Sequence, residues 1–179
     1  MNQLDDLYCR AFGREVTEAG RIDLRTHMRE AHRIGLIMES KSSSRVAGFA
    51  SYNLLTTRAG DGFFHLGGLL VFPDFQGRGL GSSFLQNLVD REGTPYFGFH
   101  TQNTAMLRTG GHLGQYSEQL TIQMAYSLGS IRPEKRGGLI VDCDRYPPGG
   151  LYGQNTTVRR INGLGPRDAG IFCFLRNKS

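Results

Sequence analysis

Much that would assign a protein at first sight is scarce in this sequence. No apolar run reaches the ~20 residues of a membrane-spanning helix. The opening MNQLDDLYCRAF holds two acids and lacks the apolar core of a signal peptide, so a cytoplasmic protein with no membrane partner is expected. Cysteine is sparse: Cys9, Cys143 and Cys173 are odd in number and far apart, which argues for reduced, buried thiols. His27, His32, His65, His100 and His112 form no H-x-x-x-H pair, so no metal is expected. Charged tails are missing as well. The net charge of +5 comes from scattered residues, densest at Arg159-Arg160 and Glu134-Lys135-Arg136. That balance suits a polyanionic cofactor or partner, while nucleic-acid binding is only weakly supported without a basic cluster.

What is present reads as one domain over residues 1–179, without internal repeats. Leu4, Leu7, Tyr8, Ala11 and Phe12 share a helical face, with Gly13 as a stop, and a more polar helix is expected over about 21–32. HRIGLIMES and VAGFASYNLLTT read as a hairpin, and GFFHLGGLLVF as a third strand ending at Pro73. Leu80, Phe84, Leu85, Leu88 and Val89 make the apolar stripe of a helix. TPYFGFHT follows as a strand, then a helix capped by Thr101 or Asn103, then another within SEQLTIQMAYSLG. GGLIVDCDRY and AGIFCFLRN are strands flanking a loop rich in Gly, Pro and Asn. The order describes an α/β protein with a strand–loop–helix unit at its centre.

That unit, LLVFPDFQGRGLGSSFLQNLV, places three glycines between a strand and a helix N-terminus. Helix N-termini present unpaired N–H groups and a partial positive charge, and glycine lets backbone approach a phosphate closely. A Walker A loop would need a lysine that is not there. A Rossmann turn would need its third glycine where Ser82 stands.

V-x-P-x-x-Q-G-R-G-L-G-S followed by an apolar helix resembles motif A of the GCN5-related N-acetyltransferase (GNAT) superfamily, whose loop reads Q/R-x-x-G-x-G/A. Gln76, Gly79 and Gly81 carry the match, and Val71-Phe72-Pro73 match the end of the preceding strand. An N-terminal helix ending in AF, a hairpin with G-F-A near Gly48, and Q-N-x-x-M from Gln102 extend it over about residues 1–110. The resemblance implies the GNAT fold, a mixed, mostly antiparallel sheet flanked by helices. It also implies that Gln76, Gly77, Arg78, Gly79, Leu80, Gly81 and Ser82 line the pyrophosphate site of acetyl-CoA. Backbone groups of Leu70 and Val71 would meet the pantetheine arm, and Asn103 would hydrogen-bond the cofactor. The chain past about residue 110 is a divergent third where acceptor choice would be written.

The pattern is departed from at one catalytic point. Many members carry a tyrosine, the acid that protonates the thiolate, seven residues past the helix-opening asparagine. Counting from Asn103 reaches Gly110; Tyr116, six residues further on, is the candidate acid in its place, which requires a different local geometry. The fourth strand offers no carboxylate as base, only His100, with His65 as the other candidate; each also reads as a packed or surface histidine. Asp142 and Asp144 read as surface pairs or as a cation-binding edge, and YPPGGLYG as a substrate-side loop.

The expected activity is acetyl-CoA-dependent N-acetylation of a primary amine. The acceptor classes are a small molecule, a protein N-terminus or aminoacyl-tRNA, and homodimerisation is left open. An acyl-CoA-binding sensor without turnover is the alternative, supported by the missing tyrosine and carboxylate. A nucleic-acid-binding domain is the third.

Overall fold

The computed structural model describes residues 3–11, 18–42, 44–57, 60–128, 133–143, 145–146 and 159–176. Gly13, Asp144 and the segment 147–158, which includes most of YPPGGLYG, lie outside the described residues. The elements are α1 (Gln3–Ala11), α2 (Glu18–Glu30), β1 (Arg33–Met38), β2 (Val46–Thr56), β3 (Gly62–Val71), a 3-10 turn (Pro73–Phe75) and α3 (Leu80–Glu92). They continue with β4 (Tyr96–Thr101), α4 (Thr104–Leu113), β5 (Gly114–Tyr116), α5 (Glu118–Ser127), β6 (Glu134–Arg136), β7 (Leu139–Asp142) and β8 (Ala169–Arg176). Strand order is β1-β2-β3-β4-β8-β7-β6, with β5 against β8, a mixed and mostly antiparallel α/β arrangement flanked by helices. The long hairpin of β2 and β3 contributes to two compact units, Met1–Asn53 with Leu66–Glu92 and Leu54–His65 with Gly93–Ser179.

In the first unit β1 pairs antiparallel with β2, Arg33 opposite Tyr52 and Leu36 opposite Phe49. The apolar stripe expected of α3 buries Leu85, Leu88 and Val89. A side chain at Gly35 would run into Phe84 and Leu88, so α3 packs directly on the β1 backbone. The fully buried Tyr52 donates its hydroxyl to Glu92 at 2.9 Å, and Arg33 and Arg91 hold the same carboxylate. The burial of Glu92 is thereby compensated by three partners, as a buried charge requires.

In the second unit β8 is the spine. It pairs with β4 (His100 opposite Ile171, Phe97 opposite Phe174), with β7 (Ile140 opposite Ile171) and with β5 (Tyr116 opposite Phe174). Phe63, Met124, Ala125, Ile140, Ile171 and Cys173 form the core beneath α5. The other face of β4 and β8 stacks Phe97, Phe99, Phe172 and Phe174. Gly110 of α4 rests on those rings, because a Cβ there would come within 2.4 Å of Phe174 and 2.9 Å of Phe99.

The sequence-based boundaries shift by a few residues: the second helix runs Glu18–Glu30 instead of 21–32, and Asn103, not Thr101, caps α4. The short strands β5 and β6 were not expected. Each has three residues, too few for a period to show, and β6 is a fully exposed edge of charged side chains. Cys9 and Cys173 are buried free thiols as expected, while Cys143 is half-buried.

Candidate functional site

The glycine turn is built by local rules. Pro73 starts the 3-10 turn, whose fixed φ suits that position. Gln76 closes it, its amide donating to Pro73 O at 3.1 Å and its side chain donating to Val71 O at 2.8 Å. Gln76 therefore braces the turn against the end of β3. Gly77 (φ 74°) and Gly79 (φ 73°) sit in the left-handed region, where side chains cost energy, and open space lies where their Cβ atoms would be. Gly81 has ordinary room beside Val71 and Leu69 instead. Ser83 N–H donates to Gly79 O at 3.0 Å, so the turn leads directly into the first turn of α3, where helix amides point toward the N-terminal end. Two guanidiniums share the Phe75 ring beside the turn, Arg45 at 5.3 Å and Arg78 at 5.7 Å from its centre. The turn is exposed at a helix N-terminus, with Arg78 beside it and Arg45 paired to Glu39 and Asp74 at 3.4 Å, and such a terminus suits an anionic group.

Leu70 and Val71 end β3 just before the turn, with Leu70 buried and Val71 half-buried. Their backbone lies against Gly48, where a Cβ would meet Leu70 O at 2.5 Å. Asn103, in the second unit, accepts the Ala105 N–H on Oδ1 at 2.8 Å as the α4 cap. Gln102 beside it is fully buried and donates to Pro166 O at 2.8 Å and Asp168 O at 2.6 Å, pinning the chain before β8.

The two candidate histidines come together in the second unit. His65 Nε2 lies 3.4 Å from His100 Nδ1, with the rings nearly perpendicular. His100 Nε2 lies 3.4 Å from Asp142 Oδ2 without the alignment of a hydrogen bond, and Arg145 stands 3.7 Å from that oxygen. Burial pushes His65 down to about 3, with help from His100 and Arg145. Burial also lowers His100, opposed by the Asp142 contact. Both imidazoles are therefore neutral near neutral pH.

Sequence reading offered Asp142 as a surface pair or a cation-binding edge and did not join it to His100, because β7 is remote from β4 along the chain. Its signal is cross-strand register: His100, Ile171 and Ile140 align, and Asp142, two residues on, shares their face. Tyr116 is not brought to this cluster. It pairs with Phe174 while His100 pairs with Ile171, and residues three apart on β8 point to opposite faces. Its ring packs instead on Phe172 and Phe174. Gly110 cannot be supplemented by a tyrosine either, since Phe174 fills that space. Among the described residues, no helix is long and apolar enough to cross a membrane, and no His, Cys, Asp and Glu group is suited to a metal.

Comparison with known proteins agrees with this architecture. Residues 1–102 match the model of the acetyltransferase (GNAT) family. The NatC complex bound to Gag peptide and CoA has a chain similar to this one, with TM-score 0.55, 14% identity, and coverage of 98% of this chain and 89% of that one. The ribosomal-protein-S18-alanine N-acetyltransferase from Escherichia coli aligns at TM-score 0.51 and 17% identity, covering 99% and 88%. An IAA acetyltransferase from Bacillus cereus aligns at TM-score 0.51 and 17% identity, covering 97% and 95%. No curated protein matches the sequence. The chain belongs to the GNAT acetyltransferase family.

Proposed function

We propose that this protein is an acetyl-CoA-dependent N-acetyltransferase acting on a primary amine. The observation that carries the reading is the turn before α3, with left-handed Gly77 and Gly79 facing open space at the N-terminus of that helix. The amides of residues 77–82 and the Arg78 guanidinium would hold the pyrophosphate, and the backbone at Leu70 and Val71 would meet the pantetheine arm. Gln76 would act through the shape of the turn, since its amide and side chain are both engaged. Asn103, its Oδ1 occupied by capping, would reach the cofactor through its Nδ2 group.

Bound acetyl-CoA supplies a thioester; the chain must supply a proton acceptor for the amine. His65 and His100, neutral and in contact, are the residues proposed for that role. Among amines, a polypeptide α-amine is favoured by the neighbours described as bound to a Gag peptide or as ribosomal-protein-S18-alanine N-acetyltransferase. Small amines and aminoacyl-tRNA complete the acceptor panel.

A second reading, an acyl-CoA-binding sensor without turnover, is favoured by Gly110, where the acid tyrosine of many relatives would stand. Titration with acetyl-CoA and CoA, followed by thiol release against peptide, small-amine and charged-tRNA acceptors, separates the two. Micromolar binding with acceptor-dependent thiol release is expected. Binding without release on any acceptor supports the sensor, and no binding sinks both.

A further inference from the structure

We propose that His65, His100 and Asp142 form one proton relay, in which Asp142 sets the tautomer of both imidazoles and His65 Nδ1 is the lone pair that receives the amine's proton. The use of the relay rests on the transferase reading above, whereas its tautomers are a property of the protein by itself.

A neutral imidazole has one N–H donor and one lone-pair acceptor. Asp142 Oδ2 sits 3.4 Å from the buried His100 Nε2. The two are out of hydrogen-bond alignment but close enough that a carboxylate facing a lone pair there would be repulsive, and a small turn of the ring aligns them for transfer. The proton of His100 therefore belongs on Nε2, which leaves Nδ1 as an acceptor. That nitrogen lies 3.4 Å from His65 Nε2, which must then be the donor. The single proton of His65 is thereby assigned, and its Nδ1 remains a lone pair. This atom is buried and, among the described residues, has no hydrogen-bond partner, a costly arrangement unless a ligand or water N–H or O–H meets it. The reversed tautomers would place donors and acceptors in conflict at Asp142.

The proton count closes. An N–H bond of the acceptor ammonium breaks and one forms at His65 Nδ1, directly or through one water. The His65 Nε2 proton moves to His100 Nδ1, and the His100 Nε2 proton moves to Asp142 Oδ2. A neutral amine results, and the positive charge is cancelled at the carboxylate, so no imidazolium stays in a site whose burial disfavours it. Arg145 stands 3.7 Å from the same carboxylate oxygen, and reversal of the same steps to water resets the chain. Asp142 is thus the positioning residue and His65 the end that meets the substrate's proton.

The test uses the full chain labelled with 15N-histidine, without cofactor, in two-bond 15N–1H correlation spectra near neutral pH. Signals are assigned by His65→Gln and His100→Gln. Both residues are expected as neutral Nε2–H tautomers; His65 as the Nδ1–H form, or either ring charged, overturns the relay. In Asp142→Ala, His100 is expected to become a tautomer mixture, and kcat to fall about 10-fold or more with KM for acetyl-CoA unchanged. Unchanged tautomers in that variant also overturn it. Expected tautomers without thiol release on any acceptor would leave the wiring standing and sink the transferase reading. Thiol release with the wrong tautomers would do the reverse.

Discussion

The turn before α3 and the histidine cluster of the second unit, proposed for different tasks, are built from different materials. The turn is exposed, made of backbone, and shaped by residues adjacent in the chain: Pro73 opens it, Gln76 braces it, and Gly77 and Gly79 take φ values few other residues accept. The cluster is buried, made of side chains, and assembled from β3, β4 and β7 through strand register. Binding a polyanion calls for many N–H donors and tolerance of solvent. Handling one proton calls for neutral groups in fixed relation, which burial enforces at the expense of charge.

That contrast can be broken at several points. Gly110→Tyr would restore the family residue in sequence only. Overpacking against Phe174 and Phe99 should lower stability by about 3 kcal/mol, read as a fall in Tm, with no gain in turnover. A stable, faster enzyme would mean that α4 can move off the aromatic face.

A smaller effect concerns pH. The unfolded chain binds a proton at residue 65 below its ordinary value near 6.5, whereas the folded chain refuses it until about 3. Stability is thus fully present above 6.5 and is lost as pH falls through that window, by up to about 1.4 kcal/mol per pH unit for this group. His100 contributes in the same sense. Urea unfolding across that range should show a shallower slope for His65→Gln, and an equally steep slope would show that His65 is protonated in the folded state.

The smallest effect is expected at Tyr116. With its ring on the face opposite His100, Tyr116→Phe should leave kcat within about two-fold. A loss of ten-fold or more would assign the thiolate's acid to Tyr116 after all.

The same contrast explains what could be read from the chain. The hairpin, α3 and the glycine turn follow from period, proline and glycine placement within a few residues, and all are found where expected. His65 and His100 could be singled out by chemistry, but their contact depends on which strands neighbour one another. Asp142 reads as a surface pair or a cation-binding edge until β8 is seen to carry its register to His100. Gln102 lies next to a recognisable helix cap, yet its buried amide serves carbonyls more than sixty residues away, which no local pattern announces.

The central claim is that the turn holds the pyrophosphate of CoA, and calorimetric titration of CoA into wild type and Gly79→Asp tests it most directly. A side chain at φ 73° strains the turn, and its carboxylate would stand beside the phosphates. Affinity should fall about 100-fold or more with the folded state retained. CoA affinity unchanged in a folded Gly79→Asp protein would contradict the assignment.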